Sequence, residues 1–433
     1  MTPKDYSSDS SSAVNRQREI YLNGAAGFKP TIPVNIDLLE AAAAKKMSRE
    51  AFAYVAGGAG IGSTIKANRS GFDAWRIVPR MLRDVSVRHT ETEILGTKMP
   101  FPLLLSPVGV LELAHPEADL AVAAAASETG VPYIFSNQAS VAMEKTAAVM
   151  GNSPRWFQLY WSKSDALVES FVRRAEACGC SAIVVTLDTT MLGWRAEDLD
   201  LAYLPFLRGK GIAQYTSDPV FRQLALQPEE GPAPPRKITL SSLSLLLELT
   251  RNFPGNFWQN LRSGFPLASV RKFISIYSRP SLTWENLSFL REKTRLPIIL
   301  KGILHPDDAR KAVDEGINGL IVSNHGGRQV DGSIGSVEVL PGIVAAVGGK
   351  IPILLDSGIR GGADMFKALA LGANAVCIGR PYVYALALAG KTGVQEVIRN
   401  FGADFELTMG LAGCTSLAEI DKNLLVKTEH SSL

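Results

Sequence analysis

Eight short apolar runs, separated mostly by helical patterns, constrain the fold of this chain more than any other feature. Each run is rich in Val, Ile, Leu or aromatic residues and lacks strict polar–apolar alternation, which is typical of parallel strands covered on both faces. The runs are Pro102–Leu105, Val131–Phe135, Trp156–Tyr160, Ala182–Thr186, Pro297–Leu300, Gly319–Val322, Pro352–Leu355 and Ala375–Ile378. Since eight parallel strands alternating with helices can close on themselves, the pattern predicts an α/β fold, a (β/α)8 TIM barrel.

Helical patterns fill most of the spaces between these runs, and several end at glycine, as helix C-termini favour. They span Pro116–Thr129, Val141–Met150, Asp165–Ala177, Pro306–Glu315, Val337–Val347 and Ala363–Leu371. An N-terminal helical segment is expected over residues 36–57. Residues 1–14 are polar and Ser-rich and are predicted to be a disordered tail. We therefore predict a single barrel domain over residues 15–433.

One connection, after the fourth run, is far longer than the others. It extends from Ala196 to Ser281 and contains a Pro-rich piece, Gln227–Pro235, and an apolar helical stretch, Leu240–Leu249. Connections of this length inside a compact domain are usually functional. Because it follows the C-terminal end of a barrel strand, residues 196–281 are interpreted as a lid-like insert over the active-site face.

The balance of charge and apolar residues excludes several classes of protein. The 433 residues carry a net charge of +3 without a dense Lys or Arg run, which argues against a nucleic-acid partner. No apolar stretch reaches membrane-spanning length, so no membrane partner is expected. Four cysteines without a second ligand pair beside Cys178 and Cys180 fit a reducing, cytoplasmic location and no metal site. The C-terminal Ser431–Leu433 indicates the peroxisome instead if it is read as a targeting signal.

Polar or charged side chains follow all eight runs, at the end where barrel enzymes place their active sites. The positions are Ser106–Gly109, Ser136–Gln138, Gln158, Tyr160, Thr186, Asp188, Lys301, Ser323, His325, Arg328, Asp356–Arg360, Gly379 and Arg380. Because strand ends meet at one face, His325 and Arg328 are expected to converge there with Lys301. Arg195, at the root of the insert, adds a further cation. This set predicts a site for a small anionic molecule.

The seventh and eighth strand ends predict a phosphate site. Gly358–Arg360 and Gly379–Arg380 combine exposed backbone amides with fixed cations. Barrels often bind phosphate with the loops after these two strands and a helix N-terminus.

The motifs at these strand ends resemble those of the FMN-dependent 2-hydroxy-acid oxidase and dehydrogenase family. The matching segments are Trp156–Tyr160, Thr186–Thr189, Ile299–Gly302, Ser323–Gln329, Asp356–Arg360 and Ile378–Pro381. The resemblance extends from about Tyr54 to the final helices. Five segments resemble in particular the lactate 2-monooxygenase branch of that family. They are Tyr54–Gly58, Ser106–Gly109, Gly193–Arg195 and, in the insert, Phe206–Gly209 and Asp218–Phe221.

The resemblance implies FMN as cofactor, lying across the barrel mouth, with its ribityl chain held by Asp356. The residues implied at its phosphate are Gly358, Arg360, Gly379 and Arg380. The residues implied around its ring are Pro107, Val108, Gly109, Ser136, Gln158, Thr186, Lys301 and Ser323. Among these, Lys301 faces the ring edge where a fixed cation raises the electron affinity of the cofactor.

The same resemblance implies a substrate site. Arg195 and Arg328 grip the substrate carboxylate, which suits the planar guanidinium group. Tyr54 and Tyr160 hydrogen-bond the carboxylate or the 2-oxygen. Tyr215, in the insert, is a further candidate to reach the pocket.

A histidine–carboxylate pair is implied to carry out the proton transfer. His325 is the general base, and Asp188 orients its ring and stabilises the imidazolium. The proton comes from the α-carbon or from the 2-hydroxyl; the sequence leaves both routes open.

The activity implied is FMN-dependent oxidation of a small, lactate-like L-2-hydroxy acid by molecular oxygen. The long insert favours slow product release, and Gly109 is interpreted as leaving space near the flavin. Both features favour oxidative decarboxylation to a shorter acid, CO2 and water. The alternatives are a simple oxidase that yields a 2-oxo acid and hydrogen peroxide, and a dehydrogenase with another electron acceptor. A homotetramer or larger homo-oligomer is expected.

Overall fold

The structure, a computed structural model, describes residues 12–227 and 239–428. In chain order its strands are β1 (Trp75–Ile77), β2 (Thr92–Ile94), β3 (Thr97–Met99), β4 (Leu103–Leu105), β5 (Tyr133–Phe135), β6 (Arg155–Leu159), β7 (Ile183–Thr186), β8 (Ile298–Ile303), β9 (Gly319–Val322), β10 (Ile353–Leu355), β11 (Ala375–Ile378) and β12 (Leu425–Lys427).

Strands β4 to β11 form a closed parallel barrel in which each strand pairs with its neighbours in the chain. The barrel closes where β11 pairs with β4, with Cys377 opposite Leu104. These are the eight predicted apolar runs, and their side chains are almost wholly buried, as strands covered on both faces require. The (β/α)8 prediction is confirmed.

The helices surround this barrel or belong to the insert. They are α1 (Ser12–Ala25), α2 (Ile36–Lys46), α3 (Arg49–Ala56), α4 (Ser63–Asp73), α5 (Ala118–Thr129), α6 (Met143–Met150), α7 (Asp165–Ala177), α8 (Ala196–Asp200), α9 (Ala213–Thr216), α10 (Pro219–Leu226), α11 (Leu240–Asn252), α12 (Phe257–Ser263), α13 (Phe265–Ile276), α14 (Asn286–Lys293), α15 (Pro306–Asp314), α16 (Ser336–Val347), α17 (Gly362–Ala370) and α18 (Arg380–Leu411). Several begin at a residue whose side chain caps free backbone amides, such as Asn35 for α2 and Ser164 for α7.

A hairpin of β2 and β3 covers the N-terminal end of the barrel. Its residues Ile94 and Met99 pack against an interior layer to which each barrel strand contributes, including Trp156 and Ile321. The Trp156 indole donates to the hydroxyl of Thr97 in the hairpin at 2.9 Å. Because this end is filled, the opposite end, where the strands finish, is left for a site.

The insert occupies its predicted place between β7 and β8, and its predicted apolar helix is α11. It is not a loosely attached flap. Phe206, Tyr215 and Phe221 are at most 4% exposed and pack into the main core with Val270 and Phe273 of α13.

Two predictions concern chain ends and linkers. The expected disordered tail, residues 1–14, lies mostly outside the described residues, but residues 12–14 belong to α1, so its boundary is corrected. Most of the Pro-rich piece and the C-terminal Ser431–Leu433 also lie outside the described residues.

Across the part of the chain that the structure describes, none of the helices combines the length and the apolar character that a bilayer crossing requires.

Candidate active site

The residues after β9 follow an unusual backbone path. The chain leaves the buried strand at Ser323, and His325, Gly326 and Gly327 then adopt φ angles of 58°, 66° and 78°. Asn324 stabilises this path, because its side-chain oxygen accepts a hydrogen bond from the Gly327 amide at 3.1 Å. A histidine rarely adopts positive φ, and such strain is typical of functional positions that the surrounding structure holds in place.

His325 pairs with Asp188, which follows β7. Its Nδ1 lies 2.8 Å from the Asp188 Oδ1, and the hydroxyl of Thr189 lies 3.3 Å from the same nitrogen. Burial lowers the pKa of His325, Asp188 opposes this, and Lys301 and Arg195 lower the pKa further.

Burial also acts to raise the pKa of the Asp188 carboxyl, but His325 and then Lys301 bring that pKa below its ordinary value. His325 is therefore a neutral base beside an ionised carboxylate. Since Nδ1 is engaged by Asp188, Nε2 is the nitrogen available to a substrate.

Two arginines flank the ring of Tyr54. The guanidinium carbons of Arg328 and Arg195 lie 5.0 Å and 6.0 Å from the ring centroid. Arg328 donates to the carbonyl of Gly57 at 2.8 Å, and Arg195 donates to the side-chain oxygen of Gln329 at 3.2 Å. Within the described residues neither arginine forms an ion pair with a carboxylate. Burial, followed by the charge of Arg195, lowers the pKa of Arg328. Asp198 is close enough for its charge to act on both arginines, but it forms no ion pair with either. Two adjacent cations without an ion-paired carboxylate favour an anionic ligand.

Lys301, at the end of β8, is charged and internally balanced. Its Nζ lies 2.9 Å from the Asp356 Oδ2 and donates to the Ser323 hydroxyl at 2.8 Å. Burial acts to lower the pKa of Lys301, but the carboxylates of Asp356 and Asp188 raise it above its ordinary value. The lysine is thus a permanent cation in the barrel mouth.

These groups line one cavity at the C-terminal end of the barrel. The predicted site residues on its wall are Tyr54, Pro107, Val108, Gly109, Tyr160, Arg195, Lys301, His325, Arg328, Asp356, Gly358, Arg360, Gly379 and Arg380. Six further predicted residues lie outside this lining, namely Ser136, Gln158, Thr186, Asp188, Tyr215 and Ser323. Asp188 and Ser323 contact His325 and Lys301 directly. The cavity therefore brings most of the predicted set together, while the individual roles stay predictions.

Polar atoms of the barrel mouth fit the flavin that the resemblance implies. The Gln158 Nε2 and Thr186 Oγ1 are buried without a hydrogen-bond partner in the described residues. Buried polar groups are nearly always satisfied, so these two atoms indicate a ligand with a polar edge. With the cationic Lys301 nearby, the set matches the carbonyl- and nitrogen-bearing edge of an isoalloxazine ring.

The phosphate end also fits. α18 begins at Arg380 without a side-chain cap, and Gly379 lines the cavity. Pro381 has no N–H, and the amides of Tyr382 and Val383 donate to the Gly379 carbonyl at 3.1 and 3.3 Å, so the amides of Gly379 and Arg380 are the ones left at this described helix start for an anion. Arg380 itself donates to the carbonyls of Val55, Gly57 and Gly326 at 3.1, 3.0 and 2.8 Å.

Arg360 differs from Arg380 in its contacts. Its guanidinium contacts only the carbonyl of Ile359 among the described residues, at 3.2 Å. Arg360 is thus the freer cation for a phosphate, and Arg380 clamps three backbone segments around it.

Two predictions about the pocket are wrong. Tyr215 does not reach the cavity: it is fully buried, 4.7–5.4 Å from the rings of Phe171, Phe221 and Phe273. Nor does Gly109 leave open space, because a Cβ there would lie 2.9 Å from the Gln138 carbonyl oxygen. Gly109 instead permits two strand-end loops to approach each other closely.

Several residues at the site were missed from the sequence. Tyr277, directly after α13, lines the cavity in place of Tyr215. Thr189 contacts the histidine–carboxylate pair, and Gln329 contacts Arg195. The position of Gln329 beside Arg328 was the available signal; for Tyr277 no local signal exists. Among residues 12–227 and 239–428, no three His, Cys, Asp or Glu side chains cluster as metal ligands.

Comparisons with known proteins agree with this site. The model of the family described as FMN-dependent dehydrogenase matches residues 43–427. An L-lactate oxidase of Lysinibacillus sphaericus is 41% identical over 92% of this chain and 94% of its own length. The human 2-hydroxyacid oxidase 1 is 37% identical over 88% of this chain and 93% of its own.

A solved structure is also similar. Mandelate oxidase with (S)-4-hydroxymandelic acid superposes with a TM-score of 0.74 at 37% identity, covering 91% of this chain and 98% of that chain. The family match spans nearly the whole barrel and the site, and the buried polar atoms at the barrel mouth fit the cofactor. The chain therefore belongs to the FMN-dependent dehydrogenase family, and its cofactor is FMN.

Proposed function

We propose that this enzyme oxidises a small, lactate-like L-2-hydroxy acid with molecular oxygen and converts it by oxidative decarboxylation to a shorter acid, CO2 and water. FMN-dependent oxidation of a 2-hydroxy acid is the coarser statement, and the family together with relatives named lactate, hydroxyacid and mandelate oxidases supports it. The observation that carries the proposal is the placement of two unpaired arginines and a neutral His325 on one cavity wall.

The arginines provide the recognition step. Arg195 and Arg328 both lie near the Tyr54 ring without an ion-paired carboxylate, so a substrate carboxylate supplies the negative charge. The Tyr54 and Tyr160 hydroxyls are available on the same wall to donate hydrogen bonds to the substrate. Burial and the nearby Asp188 raise the pKa of Tyr160, so its hydroxyl stays protonated as a donor.

The histidine provides the proton-transfer step. A carboxylate held by the arginines places C2 and its hydroxyl beside His325. The Nε2 of His325 then takes the proton from the α-carbon or from the 2-hydroxyl. Asp188 holds Nδ1 at 2.8 Å and stabilises the imidazolium that results. Bound FMN would supply the acceptor for the two electrons that leave C2 and the route by which they reach oxygen.

The insert determines how long the product stays. Phe206 and Tyr277 line the cavity and are each packed against Phe273, with ring centroids 5.1 Å apart in both pairs. Phe206 and Tyr277, and not Tyr215, therefore support slow release of the product. A 2-oxo acid retained beside hydrogen peroxide loses CO2 and leaves the shorter acid and water.

A simple oxidase is the second candidate, and relatives named L-lactate oxidase favour it. The two outcomes separate cleanly when purified holoenzyme is given L-lactate under air. We expect acetate with little peroxide. Pyruvate with an equal amount of peroxide would establish the oxidase. No anaerobic bleaching of the flavin by any 2-hydroxy acid would refute both.

The expected homotetramer stays a prediction, which sedimentation or light scattering of the holoenzyme would test.

A further inference from the structure

We propose that Gln329 is a positioning residue for the oxidation, because it couples the carboxylate site to the acid–base pair. The inference rests on the proposed function, since that function assigns Arg195 to the substrate carboxylate and His325 to proton transfer.

The side-chain amide of Gln329 makes three hydrogen bonds. Its Nε2 donates to the backbone carbonyls of Asp188 and Met191 at 2.7 and 2.9 Å. Its Oε1 accepts a hydrogen bond from the Arg195 Nη2 at 3.2 Å. Asp188 in turn holds the ring of His325. One planar amide therefore fixes the carboxylate-binding arginine and the backbone that carries the partner of the base.

The backbone segments on both sides of the Gln329–Arg195 contact are closely packed. A Cβ at Gly193 would lie 2.5 Å from the carbonyl oxygen of Arg328 and 2.7 Å from that of Gln329. The root of the insert is therefore packed directly against the loop after β9. The amide of Gly60 also donates to the Trp194 carbonyl at 2.8 Å, which fixes the outer side of the same root.

The chemical consequence is pre-organisation. A long arginine side chain binds a carboxylate with full strength only when its rotamer is already fixed. Without Gln329, Arg195 has no hydrogen-bond partner at Nη2 within the described residues, and the backbone carbonyls of Asp188 and Met191 lose their donor. Both substrate binding and the orientation of His325 then suffer together.

Two variants of the holoenzyme separate these effects. Gln329→Leu removes all three hydrogen bonds, and Gln329→Glu keeps the size of the side chain but places a carboxylate against Arg195. Val330→Ala is the matched control, because this neighbouring side chain is 65% exposed. The measurements are the Kd of pyruvate, from the visible spectrum and from thermal stabilisation, and the rate of anaerobic flavin reduction at saturating L-lactate across pH.

We expect Gln329→Leu to weaken pyruvate binding about five- to tenfold and to slow reduction several-fold, as the loss of hydrogen bonds to a charged group predicts. Gln329→Glu weakens pyruvate binding more, because its carboxylate neutralises Arg195. The Val330→Ala enzyme behaves as wild type. The melting temperature of the ligand-free variants changes little, which distinguishes positioning from a merely structural role.

A double-mutant cycle with Arg195→Met decides the coupling. If Gln329 acts through Arg195, Gln329→Leu causes little further loss of pyruvate affinity in the Arg195→Met enzyme. An equal loss in both backgrounds, or wild-type affinity and rate in both Gln329 variants, would overturn the positioning role. Failure of the wild-type enzyme to be reduced by any 2-hydroxy acid would overturn the proposed function, and this inference with it.

Discussion

The cavity has two charged walls that are built on opposite principles. On the barrel wall, formed by Lys301, Ser323 and Asp356, the cation lies 2.9 Å from a carboxylate of the same chain. On the insert wall, formed by Tyr54, Arg195, Arg328 and Tyr277, two cations have no carboxylate partner within the described residues. The barrel wall is complete by itself, whereas the arginines of the insert wall feel only the more distant charge of Asp198 and gain an ion-paired carboxylate from a ligand.

This difference distinguishes charged residues that stabilise the folded protein from charged residues that bind the ligand. A buried ion pair is strongly destabilised when one partner is removed, because the other charge remains buried. An unpaired cation already carries that cost, so its removal relieves the folded state while it damages binding. Substitutions on the two walls are therefore expected to have opposite effects on the free energy of unfolding.

The largest effects come from removing one cation from each wall. Lys301→Met leaves the Asp356 carboxylate buried beside an apolar side chain and is expected to cost about 3–5 kcal/mol of stability. Arg328→Met should leave the melting temperature unchanged or raise it, and lower kcat/KM by about 10³-fold through lost carboxylate contacts. Thermal unfolding and steady-state kinetics check both.

Lys350→Met serves as the control, because this exposed lysine precedes β10 at the far end of the barrel. A clear loss of stability in the Arg328→Met protein would break the comparison.

The pKa of His325 depends on charges of both walls, so the pH dependence of the reaction tests the comparison. The reaction needs neutral His325, and activity is lost as pH falls through its pKa. Because burial, Lys301 and Arg195 lower that pKa, kcat/KM should stay level through the ordinary histidine range near about 6.5 and fall only at lower pH.

Asp188→Asn removes the carboxylate that opposes this shift. The acid limb should then move to still lower pH, while the plateau falls by about 10²-fold. A pH–rate profile of both enzymes tests this, and an acid limb that moves upward in the variant would contradict it.

Gly109 tests how tightly the barrel side is packed. Gly109→Ala places a methyl group 2.9 Å from the Gln138 carbonyl oxygen and should cost about 1–3 kcal/mol of stability. Gly342→Ala, inside α16, is the matched control, because its nearest neighbour would be a Pro306 carbon at 3.5 Å. Denaturant unfolding of the two variants gives the difference, and equal stabilities would show that the Gln138 loop yields freely.

The smallest effects come from two tyrosines of the insert. Tyr277→Phe removes a hydroxyl from the insert wall and should change the KM for L-lactate, or the ratio of acetate to pyruvate, by about two- to fivefold. Tyr215→Phe removes only a 3.4 Å hydrogen bond to Asn137 and should leave both quantities unchanged. Product analysis of the two variants checks this, and the reverse result would restore Tyr215 as the pocket residue.

The barrel and most of the cavity lining could be predicted because local patterns determine them. Runs such as Gly319–Val322 are buried on both faces, and polar residues such as His325 follow them directly. Parallel strand ends meet at one edge, so the convergence followed from the fold.

The insert could not be predicted in the same way. Tyr215 and Tyr277 are both aromatic residues on short or terminal helical turns, and both pack against Phe273. Tyr215 is buried because Phe171 of α7 and Phe221 of α10 also enclose its ring. The space at Gly109 likewise depends on Gln138, which lies in the next strand-end loop. Such contacts between distant segments leave no periodic trace in the sequence.

The antiparallel pairing of β1 with β12 has a consequence for the order of folding. It places Trp75 opposite Lys427, and the barrel itself closes through β4 and β11. Both seams join early segments of the chain to late ones, so neither can form until most of the polypeptide has left the ribosome. β1 and the outer edge of β4 therefore stay unpaired until the late strands emerge, and slow closure of the barrel is the expected last step of folding.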